Sequence, residues 1–431
     1  MAQEIKDFKA KRMMQKAQEL DAFWAYDTSN MPDAKKLVLL DNVQFIYELA
    51  LAQLELQALG AKFEVTNGLR EFELINIEDV ESLRKRSAYL KAVEGKYTEY
   101  FQIIQKNRTR SVNQYLTHWI YPYKGKFHPQ MIRALMNIIG LKAGDTVLDP
   151  FIGSGTSAVE AQLLGINCIG IDVSPLCVLQ SRVKSESVYS VQNIKAFKDE
   201  ISKRLKVTLF NDGDKTLDDA INLIADESTR NFYKMAKLVA ISDHARRGRE
   251  FTNAFLKNLD LMISSIADYQ DIVGQLNLQL GKVRIESGDS RALPLENETI
   301  DGVITSPPYS IALDYVQNDA HALRELGHDL PEIRAGFIGV RGRGPIRIQL
   351  YNEDIKKSLH EIYRVLKPGK FAAIVIGNAT YMGEEVKTVQ FTIAGAEKIG
   401  FRLIKNVDKI IFGLYNVMQK ENILIFRKEM I

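Results

Sequence analysis

Ser306-Pro307-Pro308-Tyr309 follows directly on the apolar run Ile300-Asp301-Gly302-Val303-Ile304-Thr305. Two consecutive prolines fix φ and remove two backbone donors, so the carbonyls at this point have no ladder partner. With a hydroxyl on one side and an aromatic ring on the other, the tetrad makes a small rigid slot rich in acceptors. Such a slot suits a planar ligand carrying an amino group, and a nucleic-acid base is the obvious candidate.

A second constellation is Asp149-Pro150-Phe151-Ile152-Gly153-Ser154-Gly155, with Thr156 opening a helix behind it. Glycine lets a backbone approach a ligand with no Cβ in the way, and open α/β sheets bind ligands beyond the carboxyl ends of their strands. The spacing is not that of a dinucleotide fingerprint, and the lack of Gly-Lys-Ser/Thr excludes a P-loop. Asp172 closes the next apolar strand, where a carboxylate can accept hydrogen bonds from ribose hydroxyls. Gly288-Asp289-Ser290 closes a third. That aspartate could accept from an adenine amino group; the plainer reading is a turn aspartate bonding its own backbone. Together with the tetrad, these residues indicate a nucleoside cofactor next to a base.

The elements that must position them alternate from residue 146 onward. Strands are expected at 146–149, 167–172, 282–286, 300–304 and 371–376, in one parallel run with right-handed crossovers. Two last strands, 401–411 and 423–427, have no helix between them and should pair as an antiparallel hairpin. The fold class is therefore α/β, a Rossmann-like seven-stranded sheet. A helix at 353–366 should stop at Lys367-Pro368-Gly369, and one at 386–399 at Gly400. Residues 176–280 break the alternation with helical sequence. Residues 1–110 read as mostly helical, with helices at 5–24, 37–59 and 77–100 and one hairpin, 62–66 against 69–75, on the Asn67-Gly68 turn. Nothing there carries recognisable chemistry; packing or oligomerisation is the plain reading, contact with DNA or a partner the other. The chain thus divides at 1–110, 111–175, 176–280 and 281–431.

The 431 residues are 46 % apolar and 26 % charged with a net charge of +3, so any nucleic-acid surface must be local. One stretch, 230–257, holds Arg230, Lys234, Lys237, Arg246, Arg247, Arg249 and Lys257 against few acids. Another interleaves Arg334, Arg341, Arg343 and Arg347 with Gly336, Gly339, Gly342 and Gly344, as suits a mobile loop that orders on phosphates or base edges. The bland alternatives are a solvated helix face and an ordinary surface loop. Cys168 and Cys177 are the only cysteines, which argues against a disulfide scaffold and fits a reducing cytoplasm. The six histidines do not cluster with them at metal-ligand spacing, so no metal is expected. No stretch approaches the roughly 20 apolar residues of a membrane span, and the N-terminus lacks the apolar core of a signal peptide. A cytoplasmic protein with no membrane partner is expected.

These motifs resemble the S-adenosylmethionine-dependent DNA amino-methyltransferases, which methylate the exocyclic amine of cytosine (N4) or adenine (N6). The resemblance runs over residues 121–428, interrupted by the helical stretch, which falls where one arrangement of the family carries its target-recognition region. It implies Ser306, Pro307, Pro308 and Tyr309 as catalytic residues. It implies Asp149, Phe151, Gly153, Gly155, Thr156, Asp172, Asp289 and Ser290 as cofactor-binding residues, S-adenosylmethionine being the cofactor. Tyr123-Lys124-Gly125-Lys126-Phe127-His128-Pro129 matches the segment that lines the methionine end, with Pro129 in a helix first turn, which adds Lys126, Phe127 and His128. Double-stranded DNA becomes the expected partner, contacted by Arg246, Arg247, Arg249, Arg334, Arg341, Arg343 and Arg347; an accompanying restriction endonuclease is a further partner to consider.

Serine in the first tetrad position is most like the N4-cytosine branch, whereas the adenine branch more often begins with Asp or Asn. The implied reaction has the Ser306 hydroxyl and the Pro307 carbonyl accepting the two amine N–H bonds while Tyr309 stacks on the base, a contact worth about 1–3 kcal/mol. The base must leave the duplex to get there. Carbon-5 methylation would need a cysteine at the slot, and neither Cys168 nor Cys177 is near it in sequence. An adenine-N6 enzyme, an RNA guanine-N2 enzyme and an inactive DNA-binding subunit are the alternatives.

Overall fold

The computed structural model describes residues 36–66, 71–109, 111–207, 213–309, 314–412 and 418–430. The expected helix at 5–24 and the Asn67-Gly68 turn lie outside them.

The N-terminal part departs from the helical expectation. Five strands, β1 (Lys36–Leu39), β2 (Lys62–Thr66), β3 (Glu71–Asn76), β4 (Leu90–Val93) and β5 (Lys96–Tyr97), form an antiparallel sheet in the order β2-β3-β1-β4-β5. The β2–β3 hairpin is the one expected. Residues 37–59 are not one helix: Lys36-Leu37-Val38-Leu39 alternates half-buried and buried, a period of two, and pairs with β3 and β4. The helix begins only at Ile46 and ends at Ala58. Glu48 starts it by reaching back to the N–H groups of Gln44 and Phe45 at 2.8 and 3.0 Å. Likewise 77–100 is a short helix, Val80–Arg86, capped by Asp79, followed by a second hairpin. Glu94 and Gly95 at φ 49° and 70° supply the two left-handed positions of its turn.

This small sheet is fastened to the rest through buried polar groups. Glu55, 1 % exposed, accepts the Ala88 N–H at 2.9 Å and the Asn137 amide at 2.7 Å. Burial pushes its carboxyl up to about 7. Asn137 belongs to the helix Pro129–Ile138, which also packs against the glycine-turn helix Thr156–Leu163.

The main sheet has seven strands: β6 (Thr146–Asp149), β7 (Asn167–Asp172), β8 (Val283–Ser287), β9 (Ile300–Thr305), β10 (Leu366–Gly377), β13 (Phe401–Phe412) and β14 (Met418–Lys428). Between β10 and β13 a small hairpin, β11 (Ala379–Tyr381) with β12 (Glu384–Val386), stands apart. The sheet order is β13-β14-β10-β9-β6-β7-β8. The pairs from β8 to β10 are parallel, and β14 is antiparallel to both its neighbours. This is the expected five-strand parallel run plus a terminal hairpin. The order reverses between β6 and β9, so the carboxyl ends of those two strands flank a crevice.

Helices cover both faces. The stretch between β7 and β8 is helical as expected: Pro175–Glu186, Val191–Val207, Gly213–Asn222, Glu227–Arg247 and Phe251–Gln275. Asp226 caps the fourth through the Thr229 N–H, Gly248 at φ 63° ends it, and Glu250 caps the fifth. Phe232, Tyr233, Phe255 and Leu259 give this stretch its own fully buried core. Among the described residues no helix is long and apolar enough to cross a membrane.

Candidate active site

The crevice widens into a cavity of about 970 Å³ lined by the glycine turn, Asp172, Asp289, the tetrad and the start of the β10–β11 connection. That volume is in the range of small-molecule and cofactor sites. β9 pairs with β6 through Gly302 and Val303, which sets the tetrad beside the glycine turn.

Asp149 makes that pairing rigid. Its Oδ1 accepts the Thr305 hydroxyl at 2.7 Å and its Oδ2 the Ser157 hydroxyl at 2.7 Å. The side chain is fully buried, burial pushes its carboxyl up to about 6, and it does not line the cavity. Asp149, expected to touch the cofactor, instead ties the tetrad strand to the glycine-turn helix. Gly155 and Thr156 also lie behind the cavity wall, while Phe151, Gly153 and Ser154 form it. The need for glycine at 155 is steric: φ is +77°, and a Cβ would sit 2.8 Å from the Ser181 Cα. Behind the turn, the buried Lys184 donates to the Ser154 carbonyl at 2.8 Å.

Asp172 ends β7 and lines the cavity. Its Oδ2 accepts the Gly153 N–H and its Oδ1 the Ser174 N–H, both at 2.9 Å. Each oxygen keeps further acceptor capacity toward the cavity it lines. Burial pushes the carboxyl up to about 6. Asp289 lines the cavity too, but its carboxylate is engaged by the Arg291 backbone N–H at 2.9 Å and by the Arg291 guanidinium at 2.6 Å. The self-bonding turn aspartate and the cavity residue are thus the same group. Ser290 is nearly buried and shares a 2.9 Å hydroxyl contact with Ser358.

The segment before the glycine turn is only partly as expected. Lys126 and Phe127 line the cavity. The Lys126 ammonium, however, points inward and donates to the His118 carbonyl at 2.6 Å and the Asn113 carbonyl at 3.2 Å. Burial lowers it to about 7. His128 is not a lining residue; its Nε2 accepts from the Asn113 amide at 2.5 Å, and burial lowers it to about 4.

At the tetrad, Ser306, Pro308 and Tyr309 line the cavity and Pro307 is buried beneath them. The Tyr309 hydroxyl donates to Glu421 at 2.5 Å. Three aromatic rings outside the expected set form a further wall: Tyr123 and Tyr315 stack at 6.1 Å and 21°, Tyr315 and Phe337 at 6.1 Å and 22°. Glu421 and Lys409, on the terminal hairpin, also line the cavity. No local motif marks Phe337, Lys409 or Glu421; tertiary pairing alone brings them here. Cys168 and Cys177 are free and buried, and neither lines the cavity. Among the described residues no group of three or more His, Cys, Asp or Glu side chains could hold a metal ion.

The seven arginines expected at DNA do not behave as one set, and none lines the cavity. Arg247 and Arg249 both pair with Asp243, at 2.9 and 2.8 Å. Arg334 pairs with Asp314 at 2.5 Å, Arg341 with the buried Asp354, and Arg347 donates to the Gly339 carbonyl at 2.5 Å. Arg347 lies on the helix Pro345–Val365, which starts eight residues before its expected position, and Phe337, Ile338 and Val340 are buried. The Arg-Gly stretch is therefore a packed turn between helices, pinned by its own arginines, and not the open loop its composition suggested. Arg246 and Arg343 are exposed; Arg246 lies near the buried Asp319, and its charge counteracts the rise that burial gives that carboxyl.

Comparison with known proteins agrees with this geometry. Residues 2–181 match the family described as DNA methylase. The type II methyltransferase M.BsoBI of Geobacillus stearothermophilus is 25 % identical over 441 residues, spanning 76 % of this chain and 86 % of that protein. The type II methyltransferase M.MjaII of Methanocaldococcus jannaschii is 35 % identical over 130 residues, 28 % of this chain and only 23 % of its own length. A tRNA (guanine(10)-N2)-dimethyltransferase of Methanothermobacter thermautotrophicus is 34 % identical over 76 residues, 18 % of this chain and 22 % of that protein. The chain is thus similar to DNA methylases over residues 2–181 and, at lower identity, to a type II methyltransferase along most of its length.

Proposed function

We propose that this protein methylates DNA at the N4 amine of cytosine, on a base turned out of the duplex. One observation carries the reading: Ser306, the first tetrad residue, opens into the same cavity as the glycine turn and Asp172. The residues present fit the cofactor. Asp172 retains acceptor capacity for two ribose hydroxyls, and the turn at 153 presents backbone with no side chain in the way. Asp289 and Ser290 would face the adenine, and Lys126 and Phe127 the methionine end. When bound, S-adenosylmethionine supplies an electrophilic sulfonium methyl.

The chain's own contribution is positioning and charge distribution. The exocyclic amine is a weak nucleophile because its lone pair is conjugated with the ring. The Ser306 Oγ and the Pro307 carbonyl would each accept one amine N–H, turning the lone pair out of the ring plane and toward the cofactor. The ring of Tyr309 would hold the base by stacking. The Thr305–Asp149 hydrogen bond keeps these acceptors at a fixed offset from the glycine turn. The helical stretch between β7 and β8, with Arg246 exposed at the end of one helix, is the candidate for reading the sequence around the target.

Incubating the protein with labelled S-adenosylmethionine and plasmid DNA or total RNA, then identifying the modified nucleoside, tests this directly. N4-methylcytosine in DNA is the expected product. N6-methyladenine would move the target to adenine with the same machinery, and label confined to RNA would overturn the DNA reading.

A further inference from the structure

We infer that Glu421, held by Lys409, is a positioning residue that fixes the plane of the Tyr309 ring in the target-base half of the cavity. The inference rests on the reading of Tyr309 as the surface on which the base stacks.

The Tyr309 hydroxyl donates to Glu421 Oε1 at 2.5 Å, and the other oxygen, Oε2, accepts from the Lys409 ammonium. All three residues line the cavity. Glu421 is on β14, directly opposite Lys409 on β13 and Gly377 on β10. A Cβ at 377 would lie 3.4 Å from Glu421 Cγ and 3.1 Å from the Lys420 carbonyl, so glycine there leaves Glu421 the room that a side chain would crowd. The Lys409 and Glu421 side chains are only 11 % and 14 % exposed. A pair this largely withdrawn from solvent contributes little net stability, because desolvation offsets much of its attraction, yet it stands at the cavity wall in contact with the Tyr309 hydroxyl.

The role of this pair follows from what Tyr309 lacks. The two prolines fix the backbone up to residue 308 but do not set χ1 and χ2 of Tyr309, whose ring rests against the core on one side only. Stacking needs a defined ring plane. A hydrogen bond to a carboxylate at the far end of the ring supplies it, and the Lys409 contact keeps that carboxylate aimed. Side chains in reacting geometry work only when a second layer of contacts locks their rotamers.

The test measures methyl transfer to the acceptor that the wild type modifies, and cofactor affinity by calorimetry, in Tyr309→Phe, Glu421→Ala, Glu421→Gln and the double variant Tyr309→Phe/Glu421→Ala. Loss of a hydrogen bond to a charged group should lower kcat about tenfold to a hundredfold in Glu421→Ala and in Tyr309→Phe. The double variant should match the worse single within about twofold, because both changes break one bond. Glu421→Gln, which still offers an acceptor, should recover much of the loss, and cofactor Kd should not move. A separate arm needs no acceptor: with tyrosines labelled at Cζ, the Tyr309 signal, identified by its loss in Tyr309→Phe, should shift in Glu421→Ala. If Glu421→Ala does not fold, Glu421→Gln carries the Cζ arm, because exchanging a charged acceptor for a neutral one at the Tyr309 hydroxyl should still shift the signal. Multiplicative losses in the double variant, or an unmoved Cζ signal, would overturn the inference. Failure of the wild type to modify DNA would instead count against the proposed function, and the Cζ arm would still decide the contact.

Discussion

The Gly153 N–H donates to Asp172 Oδ2 at 2.9 Å, so the glycine turn after β6 and the acid that ends β7 move as one unit. The parallel pairing of the strands beneath them, Asp149 opposite Gly170, fixes the distance between the two. Asp172→Asn replaces one carboxylate oxygen with a donor and cannot satisfy Gly153, Ser174 and two ribose hydroxyls together. Cofactor affinity should fall about tenfold to a hundredfold, read by calorimetry. The pH profile gives the sign. Burial raises this carboxyl to about 6, so in the free protein it takes up a proton as pH falls through that value. Cofactor affinity of the wild type should decline below that pH and stay level at neutrality. The decline should vanish in Asp172→Asn; its persistence would assign the titration to another group.

Gly155 tests the turn sterically. In Gly155→Ala the added methyl meets the Ser181 Cα at 2.8 Å, a backbone atom of a packed helix, at φ +77°. A left-handed non-glycine residue costs roughly 1–2 kcal/mol, and forcing an extra methyl into packed structure adds about 1–3 kcal/mol. Gly140→Ala is the matched control: φ is +74° there too, but nothing lies within 4 Å of the added methyl. Urea unfolding should show the first variant losing clearly more stability than the second. Equal losses would mean that the close approach to Ser181 carries no energetic weight.

Ser306→Ala keeps the rigid proline pair and the pocket shape and removes one acceptor. Methyl transfer should drop about a hundredfold or more, the scale for deleting one preorganised hydrogen-bonding group. Cofactor affinity should stay within about twofold, because Asp172 and Gly153 are untouched. Adding Tyr309→Ala should abolish transfer. Full activity in Ser306→Ala would remove the serine from the chemistry.

How much of this could be read in the chain depends on where each partner sits in sequence. The strand-turn units at 146–156 and 300–309 were legible because a buried apolar run and its Gly or Pro terminator lie side by side. β1 was not: four residues at period two, next to a long apolar helix, read as its first turn. The role of Asp149 was misread for a different reason. Its partner Thr305 is 156 residues away, and only the parallel pairing of β6 with β9 brings them together. Glu421 and Lys409 are hidden in the same way, as ordinary charges on two strands until the hairpin register faces them at Gly377. The arginines show the converse limit, since composition counts charges but not the acids that pack against them.

That last distinction separates two kinds of arginine experimentally. Arg341 and Arg291 both pair with Asp354, whose side chain is 3 % exposed. Removing one partner of a buried pair costs about 3–5 kcal/mol, with the upper end softened here because Arg291 remains. Arg341→Ala should therefore lower the unfolding temperature, whatever it does to DNA. Arg246 and Arg343 are exposed and outside that buried cluster. Arg343→Ala should leave thermal unfolding unchanged, and Arg246→Ala should lower the unfolding temperature only slightly, through the loss of a charge near the buried Asp319. If they meet the phosphate backbone, each should weaken DNA binding at every sequence and reduce the slope of log affinity against log salt by about 1. Anisotropy titrations across a salt series, run beside thermal unfolding, separate the two effects. An unchanged slope in both Arg246→Ala and Arg343→Ala would place the DNA path on another face of the molecule.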